Sequence, residues 1–479
     1  MPVAIRGTLI AALLCAVAAC GGTSTAGGPA PGGAAPGSTA SGSTAPGVGV
    51  TQSGRYPAAA WPTFGQNAAR TGVAPGLARA GKLAIRWRAR LDGAVYGQSL
   101  VVGGDVIAAT ENDSVYALNA SSGKVVWRQH LGTPVPQGDQ NGCGDIFPLG
   151  ITGTPVYDQG NGLVYAVAES RGYRFTLFGL SASNGAVRVD RAFALATSRN
   201  DPAFDQQRTA LAIADGRVYA GFGGLYGDCG PYVGTVAGLP VSGRGPQVTY
   251  STPTSREGAV WGIAGPVTGV RGDLWISIGN GASTRPPYDG SDSVNVFTPA
   301  LRRAGFFAPA TWGDDNKDDL DLGSTQPALA AGNSAFIMGK RGIGYLLDTR
   351  RPGGIGRPLA EQPICGAYGA AAVDGSVVYE PCDGDGTAAV WVSAAERRIR
   401  VLWNGPAAAN GSPSVGGGAV WVTGCNGAPG VLYELDPADG HALDSIPLGA
   451  ALPHFSSLSL ANGTAYVSTL TGVVAVSGA

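Results

Sequence analysis

Charge is scarce in this chain. Of its 479 residues only 14% are Asp, Glu, Lys or Arg, against the usual quarter, and the net charge is −1. That balance gives no sign of nucleic-acid binding. Only four of the 32 basic residues are Lys. With the plentiful Ala and Gly, this reads as the bias of a GC-rich genome rather than as chemistry. Histidine occurs three times, at His130, His441 and His454. None lies in an HExxH or beside a GxSxG, so no hydrolase constellation is present. No CxxC pair occurs, which argues against a zinc ribbon, and no CxxCH, so no c-type haem is expected on this chain. The longest apolar run, Leu9 to Ala19, is too short to span a bilayer.

That run has the form of a secretory signal, with Arg6 before it and Val17-Ala18-Ala19-Cys20-Gly21 at its end. The terminal motif resembles a bacterial lipobox. The resemblance implies cleavage before Cys20, acylation of its thiol and a lipid anchor on the extracytoplasmic face of a membrane. The alternative is an ordinary signal peptide over residues 1–20 with an incidental cysteine. Residues 21–55 are Gly, Ala, Ser, Thr and Pro with almost no charge, a composition that cannot bury a core and predicts a flexible tether. Five cysteines follow: Cys143, Cys229, Cys365, Cys382 and Cys425. Disulfides are permitted outside the cytoplasm. Cys365–Cys382 closes a short loop and is the first choice, Cys143–Cys229 the second. Cys425 is then left over, and the pairing stays open.

From residue 95 to the end one pattern recurs. A short apolar strand, a Gly- or Asp-containing turn and a second strand recur eight times, starting at Ser99, Thr154, Ala210, Pro266, Pro327, Ala370, Ser412 and Ser457. A second hairpin follows each copy, most clearly SVYALNASSGKVVW at Ser114 to Trp127. Four strands every 40 to 60 residues make the unit of a propeller blade. Such a unit cannot bury both its faces alone, so neighbours must stack. The eighth copy ends after three strands. IRWRARL, Ile85 to Leu91, is similar to KVVWRQHL at the end of the first blade, and it is expected to complete the last blade and close the ring. The predicted fold is all-β, an eight-bladed propeller over residues 56–479.

ALNASSGKVVW at Ala117 to Trp127 and WPTFGQNAARTG at Trp61 to Gly72 resemble the tryptophan-docking repeat of quinoproteins. Later copies, GLSASNGAVRV and ELDPADGHALD, keep the turn but lose the Trp. A set of segments is similar in order and spacing to the active-site segments of quinoprotein methanol and alcohol dehydrogenases: ITGTP at Ile151, VAESRGY at Val167, Trp261-Gly262, SIGNG at Ser277, KDDLDLG at Lys317 and MGKRGIGYLLD at Met338. The resemblance implies pyrroloquinoline quinone and Ca²⁺ near the ring axis. It makes Glu169 and Asn280 metal ligands, with Asp321 as the catalytic base and a further oxygen donor. Trp261 is the ring beneath the cofactor, Thr152 a hydroxyl contact to its carboxylates, and Lys340 the cation beside its quinone oxygens. Gly323, two residues past the base, is not the extra Asp of the lanthanide-using branch, so calcium is the expected ion. Glu, Asn and Asp supply the oxygen ligands that this hard cation takes.

The match has gaps. These dehydrogenases carry two adjacent cysteines over the cofactor, and this chain has no Cys-Cys pair. Glu111 stands near where the family often has Arg, and it would repel cofactor carboxylates. An electron acceptor would have to be a separate protein. Residue by residue, Glu169 and Asn280 can also cap strand ends, Trp261 can pack a blade, and Asp318, Asp319 and Asp321 can form a solvated loop or a structural Ca²⁺ site. Two readings follow: a quinoprotein oxidoreductase acting on an alcohol, or a non-catalytic lipoprotein scaffold that binds a protein partner. The second is similar to the propeller lipoprotein of the outer-membrane barrel assembly machinery.

Overall fold

The computed structural model describes residues 59–424 and 429–478. The signal, Cys20, the tether and Cys425 lie outside the described residues. Eight small sheets form the ring, as the repeat predicts. In blade 1, strands Leu100–Val102, Asp105–Thr110, Ser114–Asn119 and Val125–His130 pair antiparallel in sequence order. Each of the eight strand-turn-strand copies supplies the first two strands of one blade. Blade 8 takes its fourth strand, Leu83–Arg90, from the other end of the chain, paired with Gly472–Gly478. The ring therefore closes as the likeness of IRWRARL to KVVWRQHL implies.

Successive antiparallel strands give each blade two ends. We call upper the end bearing the connections between blades and the loops between second and third strands. The tight hairpin turns lie at the lower end. First strands of neighbouring blades touch in ring order, from blade 8 through 1, 2 and 3 to 4, and from 5 through 6 and 7 to 8. They line the axis. The apolar core is cut into slices between blades. One cluster joins blades 1 and 2 through Ile107, Trp127 and Val164. The next joins blades 2 and 3 through Tyr165, Leu177 and Phe222, and the pattern repeats around the circle.

The docking tryptophans explain which parts of the repeat persist. Trp127 of blade 1 donates from Nε1 to Ala182 O at 2.9 Å and lies over Gly185 of blade 2. Trp87 docks likewise on blade 1 (Ala120 O, 2.9 Å, over Gly123), and Trp403 on blade 7 (Pro437 O, 2.9 Å, over Gly440). A blade's turn glycine serves the Trp of the preceding blade. Copies that lose their own Trp therefore still need the glycine.

Residues 61–72 do something the repeat does not predict. Ala59–Trp61 pairs antiparallel with Leu100–Val102, and Val73–Ala74 runs parallel to Ser414–Gly416 of blade 7. The chain thus enters the axis from below, turns and leaves below. Between those strands it bonds blade after blade: Tyr157 N to Pro62 O (2.7 Å), Arg70 Nη2 to Leu211 O (2.8 Å), Thr268 N to Ala68 O (2.8 Å) and Val373 N to Thr71 O (2.7 Å). Gln98 accepts from Trp61 Nε1 and Gly65 N while donating to Leu458 O of blade 8. The segment is a plug in the axial channel.

Candidate functional site

The upper ends of blades 3 to 5 bring four of the expected residues together. Asp321 opens a short helical turn after the helix Trp312–Asp318 and is 2% exposed. Lys340 Nζ sits 2.6 Å from Asp321 Oδ2 and 2.7 Å from Asp319 Oδ1. Asn280 donates its backbone N–H to Asp321 Oδ1 at 2.6 Å, and its amide, NH₂ turned to the carboxylate, lies 2.6 Å from the same oxygen. Trp261 presents its face to the ammonium, with Nζ 5.7 Å from the ring centre. Gly279 is needed here: a Cβ would meet Asp321 Oδ1 and lie 3.0 Å from Trp261 Nε1. Burial opposes the charge on Lys340, but Asp321 and Asp319 outweigh it and the pKa rises above the ordinary lysine value.

This arrangement is a closed ion pair. The Asp321 carboxylate is filled by an ammonium and two amide donors, and the Asn280 amide is turned to it as a donor. Asp321 is thereby the anion of an ion pair, and the Asn280 amide faces it as a donor with its own oxygen turned away. Glu169 has another set of charged neighbours. It is the last residue but one of the second strand of blade 2, is 2% exposed, and finds its charged neighbours in Glu111, Asp205 and Asp113. Thr152, expected at a cofactor carboxylate, donates instead to Glu111 Oε2 at 3.2 Å, an oxygen that also accepts from Gly150 N at 2.8 Å. Burial pushes Glu111 up to about 8, Asp113 and Asp205 each up to about 7, and Glu169 well above the usual range.

Over the axis the chain supplies its own filling. Phe455, in the connection from blade 7 to blade 8, stacks on Tyr368 (5.7 Å, 4°), approaches Trp261 (6.1 Å, 47°) and lies under the Arg208 guanidinium (4.8 Å). His454 and Tyr96 extend the cluster edge to face. Phe455 holds φ +57, a left-handed conformation that costs a bulky side chain energy and that the surrounding rings sustain. Below it, the plug's Phe64 meets Ala210, Ala264 and Ala370. The cavity between Phe64 and Phe455, which Thr152 and Arg208 also line, is about 10 Å³. That is one water's worth, whereas pockets for small organic ligands run to roughly 300 Å³ or more. With the side chains so placed, this cavity is too small for a three-ring quinone.

Two disulfides brace this end, Cys143–Cys229 between the blade 1–2 connection and blade 3, and Cys365–Cys382 between the loop carrying Tyr368 and the second strand of blade 6. Sequence reasoning passed over Phe455, Tyr368 and Arg208, since single aromatics and an arginine in connecting loops carry no motif. It had Glu111, but as a departure rather than as the partner of Thr152.

Residues 78–225 match the family model described as outer membrane protein assembly factor BamB. No curated protein matches the chain in sequence. Among solved structures, a quinohemoprotein alcohol dehydrogenase from Pseudomonas putida HK5 is similar at TM-score 0.67 and 13% identity, covering 87% of this chain and 80% of that one. A europium-containing methanol dehydrogenase is similar at TM-score 0.66 and 13% identity, covering 89% of this chain and 99% of that one. BamB from Moraxella catarrhalis is similar at TM-score 0.56 and 17% identity, covering 82% and 99%. At these identities the likeness shows the fold: a propeller of the quinoprotein type, shared by dehydrogenases and an assembly factor.

Proposed function

We propose that this protein is a non-catalytic propeller, a binding scaffold on a quinoprotein frame whose axial chamber is filled by its own side chains. The observation that carries this reading is the 10 Å³ left between Phe64 and Phe455. The lipobox reading of Cys20 would hold the ring to the extracytoplasmic face of a membrane, where the rim of the propeller meets a protein partner. Fold alone does not decide between scaffold and enzyme; the chemistry of the site does.

A second reading keeps one specific observation on its side. Asp321, Asn280, Lys340 and Trp261 do meet, and a bound quinone would supply the redox chemistry while the protein oriented it. The same experiment decides. The full chain carrying Cys20→Ser is mixed with pyrroloquinoline quinone and Ca²⁺, then assayed for a shifted quinone spectrum and for dye reduction with methanol or ethanol. Neither signal is expected. A shifted spectrum with dye reduction that vanishes in Asp321→Ala overturns the scaffold reading.

A further inference from the structure

The chain is nearly neutral, yet its exposed charge is divided between the two ends of the ring. At the lower end, the turn joining the third and fourth strands carries an exposed arginine in four successive blades: Arg244 in blade 3, Arg302 in blade 4, Arg350 in blade 5 and Arg397 in blade 6. These lower turns are tied from blade to blade. Tyr219 of blade 3 donates from Oη to Pro299 O (2.6 Å), Arg271 of blade 4 from Nη2 to Thr349 O (3.0 Å), and Ala394 N of blade 6 to Ser334 Oγ of blade 5 (2.9 Å). The four arginines therefore form one arc on a firm base. Among the described residues only Arg350 of the four has an ion-pair partner, Asp348 at 2.8 Å. Blade 7 ends the arc, with Asp436 and Asp439 in the equivalent turn.

The upper end has the opposite character. Asp201, Asp228, Asp314, Asp318, Asp383 and Asp385 are exposed in its loops. Arg171 and Arg256 there are each held in an ion pair, with Asp139 and Glu257. Apolar tips mark the lower end as well. Exposed valines stand beside exposed bases in three blades: Val125 next to Lys124, Val187 next to Arg188, and Val270 next to Arg271. Val270, in the turn between the first and second strands of blade 4, is entirely exposed. A single exposed valine is ordinary. Valines set beside bases on the end that carries an unpaired arginine arc match a lipid interface, where cations meet phosphates and apolar tips reach the acyl boundary. The chain also enters the ring at this end, where Ala59 pairs with Val102, so the segment leading back to Cys20 joins the ring from below.

We infer that the lower end of the ring docks on an anionic phospholipid surface of the phosphatidylglycerol class, through the arginine arc of blades 3 to 6, with Val270 entering the headgroup layer. Guanidinium groups bond phosphate oxygens in pairs and are weakly hydrated, so unpaired arginines suit this contact. Seated this way, the ring turns its acidic upper loops away from the bilayer, toward a partner. The inference deepens the scaffold reading and rests on its anchored form, in which Cys20 carries the lipid.

The test is cosedimentation with lipid vesicles of the mature chain, residues 20–479 carrying Cys20→Ser. Omitting the acyl group lets the docking surface and the anchor fail separately. Vesicles of phosphatidylglycerol mixed with phosphatidylcholine should bind the ring, vesicles of phosphatidylcholine alone should not, and added salt should release it. In the triple variant Arg244→Gln, Arg302→Gln, Arg397→Gln, the partition coefficient falls on the order of 100-fold. Val270→Ser lowers it roughly several-fold. The matched upper variant Arg171→Gln, Arg256→Gln, Arg285→Gln removes the same charge and keeps the parent's binding. All these side chains are exposed, so thermal melts of the variants should stay near the parent's. Equal loss in the upper and lower triple variants overturns the proposal, as does equal binding to phosphatidylcholine alone. Absence of binding to phosphatidylglycerol vesicles also overturns it and leaves an acidic protein as the arc's partner. Mass spectrometry of the membrane-extracted protein, reading the acyl group on Cys20, tests the anchored reading by itself.

Discussion

Gly185→Ala tests the rule that a blade's turn glycine exists for its neighbour's tryptophan. Gly185 has φ +70, and a Cβ there would lie 2.6 Å from Trp127 Cε3 and 3.0 Å from Cδ2. The left-handed backbone costs an L residue about 1–2 kcal/mol. Displacing the indole adds an overpacking cost of about 1–3 kcal/mol and strains the 2.9 Å bond to Ala182 O. The sum is about 2–5 kcal/mol. Gly418 is the internal control: its φ is +76 and nothing lies within 4 Å of its Cβ position, so Gly418→Ala meets only the backbone term. The assay is equilibrium urea unfolding followed by far-ultraviolet circular dichroism, run as a double-mutant cycle with Trp127→Ala. With the indole removed, Gly185→Ala should cost no more than Gly418→Ala, giving a coupling of about 1–3 kcal/mol. Equal costs for the two glycine changes in the parent chain would refute the reasoning, and so would a Gly185→Ala cost that does not change when Trp127 is absent.

Glu380 of blade 6 is fully buried with both oxygens unpartnered, and burial alone raises it to about 8. An acid whose folded pKa lies above its unfolded value binds more protons when folded, so stability should fall as pH rises from about 4.5 to 8. Glu380→Gln should flatten that fall in pH-dependent urea melts, and an unchanged slope would contradict the assignment. The two disulfides should differ in worth because they close loops of different length, with sequence separations of 86 and 17. Chain entropy gives about 4–5 kcal/mol for Cys143–Cys229 and about 3 kcal/mol for Cys365–Cys382. Paired Cys→Ser variants should order that way in urea midpoint at fixed pH, and the reverse order would show that native packing, not chain entropy, dominates.

The ring was legible in the sequence because its determinants are local and repeated. Each strand-turn-strand copy carries its own alternation and its own turn residue, and the closing strand betrays itself by likeness to the strand it imitates. The axis was not legible in the same way. WPTFGQNAARTG reads as one more repeat motif, yet its hydrogen bonds run to blades hundreds of residues away, such as Val373 N to Thr71 O. The catalytic-type residues illustrate the other limit. Spacing put Asp321, Asn280, Lys340 and Trp261 into one site, where the structure has them. It could not register that Lys340 is close enough to neutralise Asp321, nor that Thr152 would turn to Glu111. Those depend on rotamers and on which acceptor happens to be a neighbour. Phe455 is the extreme case, since nothing in the local sequence requires a phenylalanine to adopt a positive φ over the axis.

The division between ring and axis has a consequence for how function can change on this frame. Apolar burial lies in the gaps between blades, where Trp275, Tyr165, Tyr219 and Phe336 are fully enclosed. The axis contributes less of it: Phe64 meets Ala210, Ala264 and Ala370, with Ile263 beside them. Stability is therefore set largely by nearest-neighbour contacts between blades, with the axial segment adding hydrogen bonds to several of them. A chamber can be emptied, plugged or recharged with acids at modest energetic cost to the ring. Thirteen per cent identity can then preserve the propeller while the axial chemistry is replaced. Phe64, Phe455, Lys340 and Glu111 are consequently more informative about this protein's activity than all of its blade residues together.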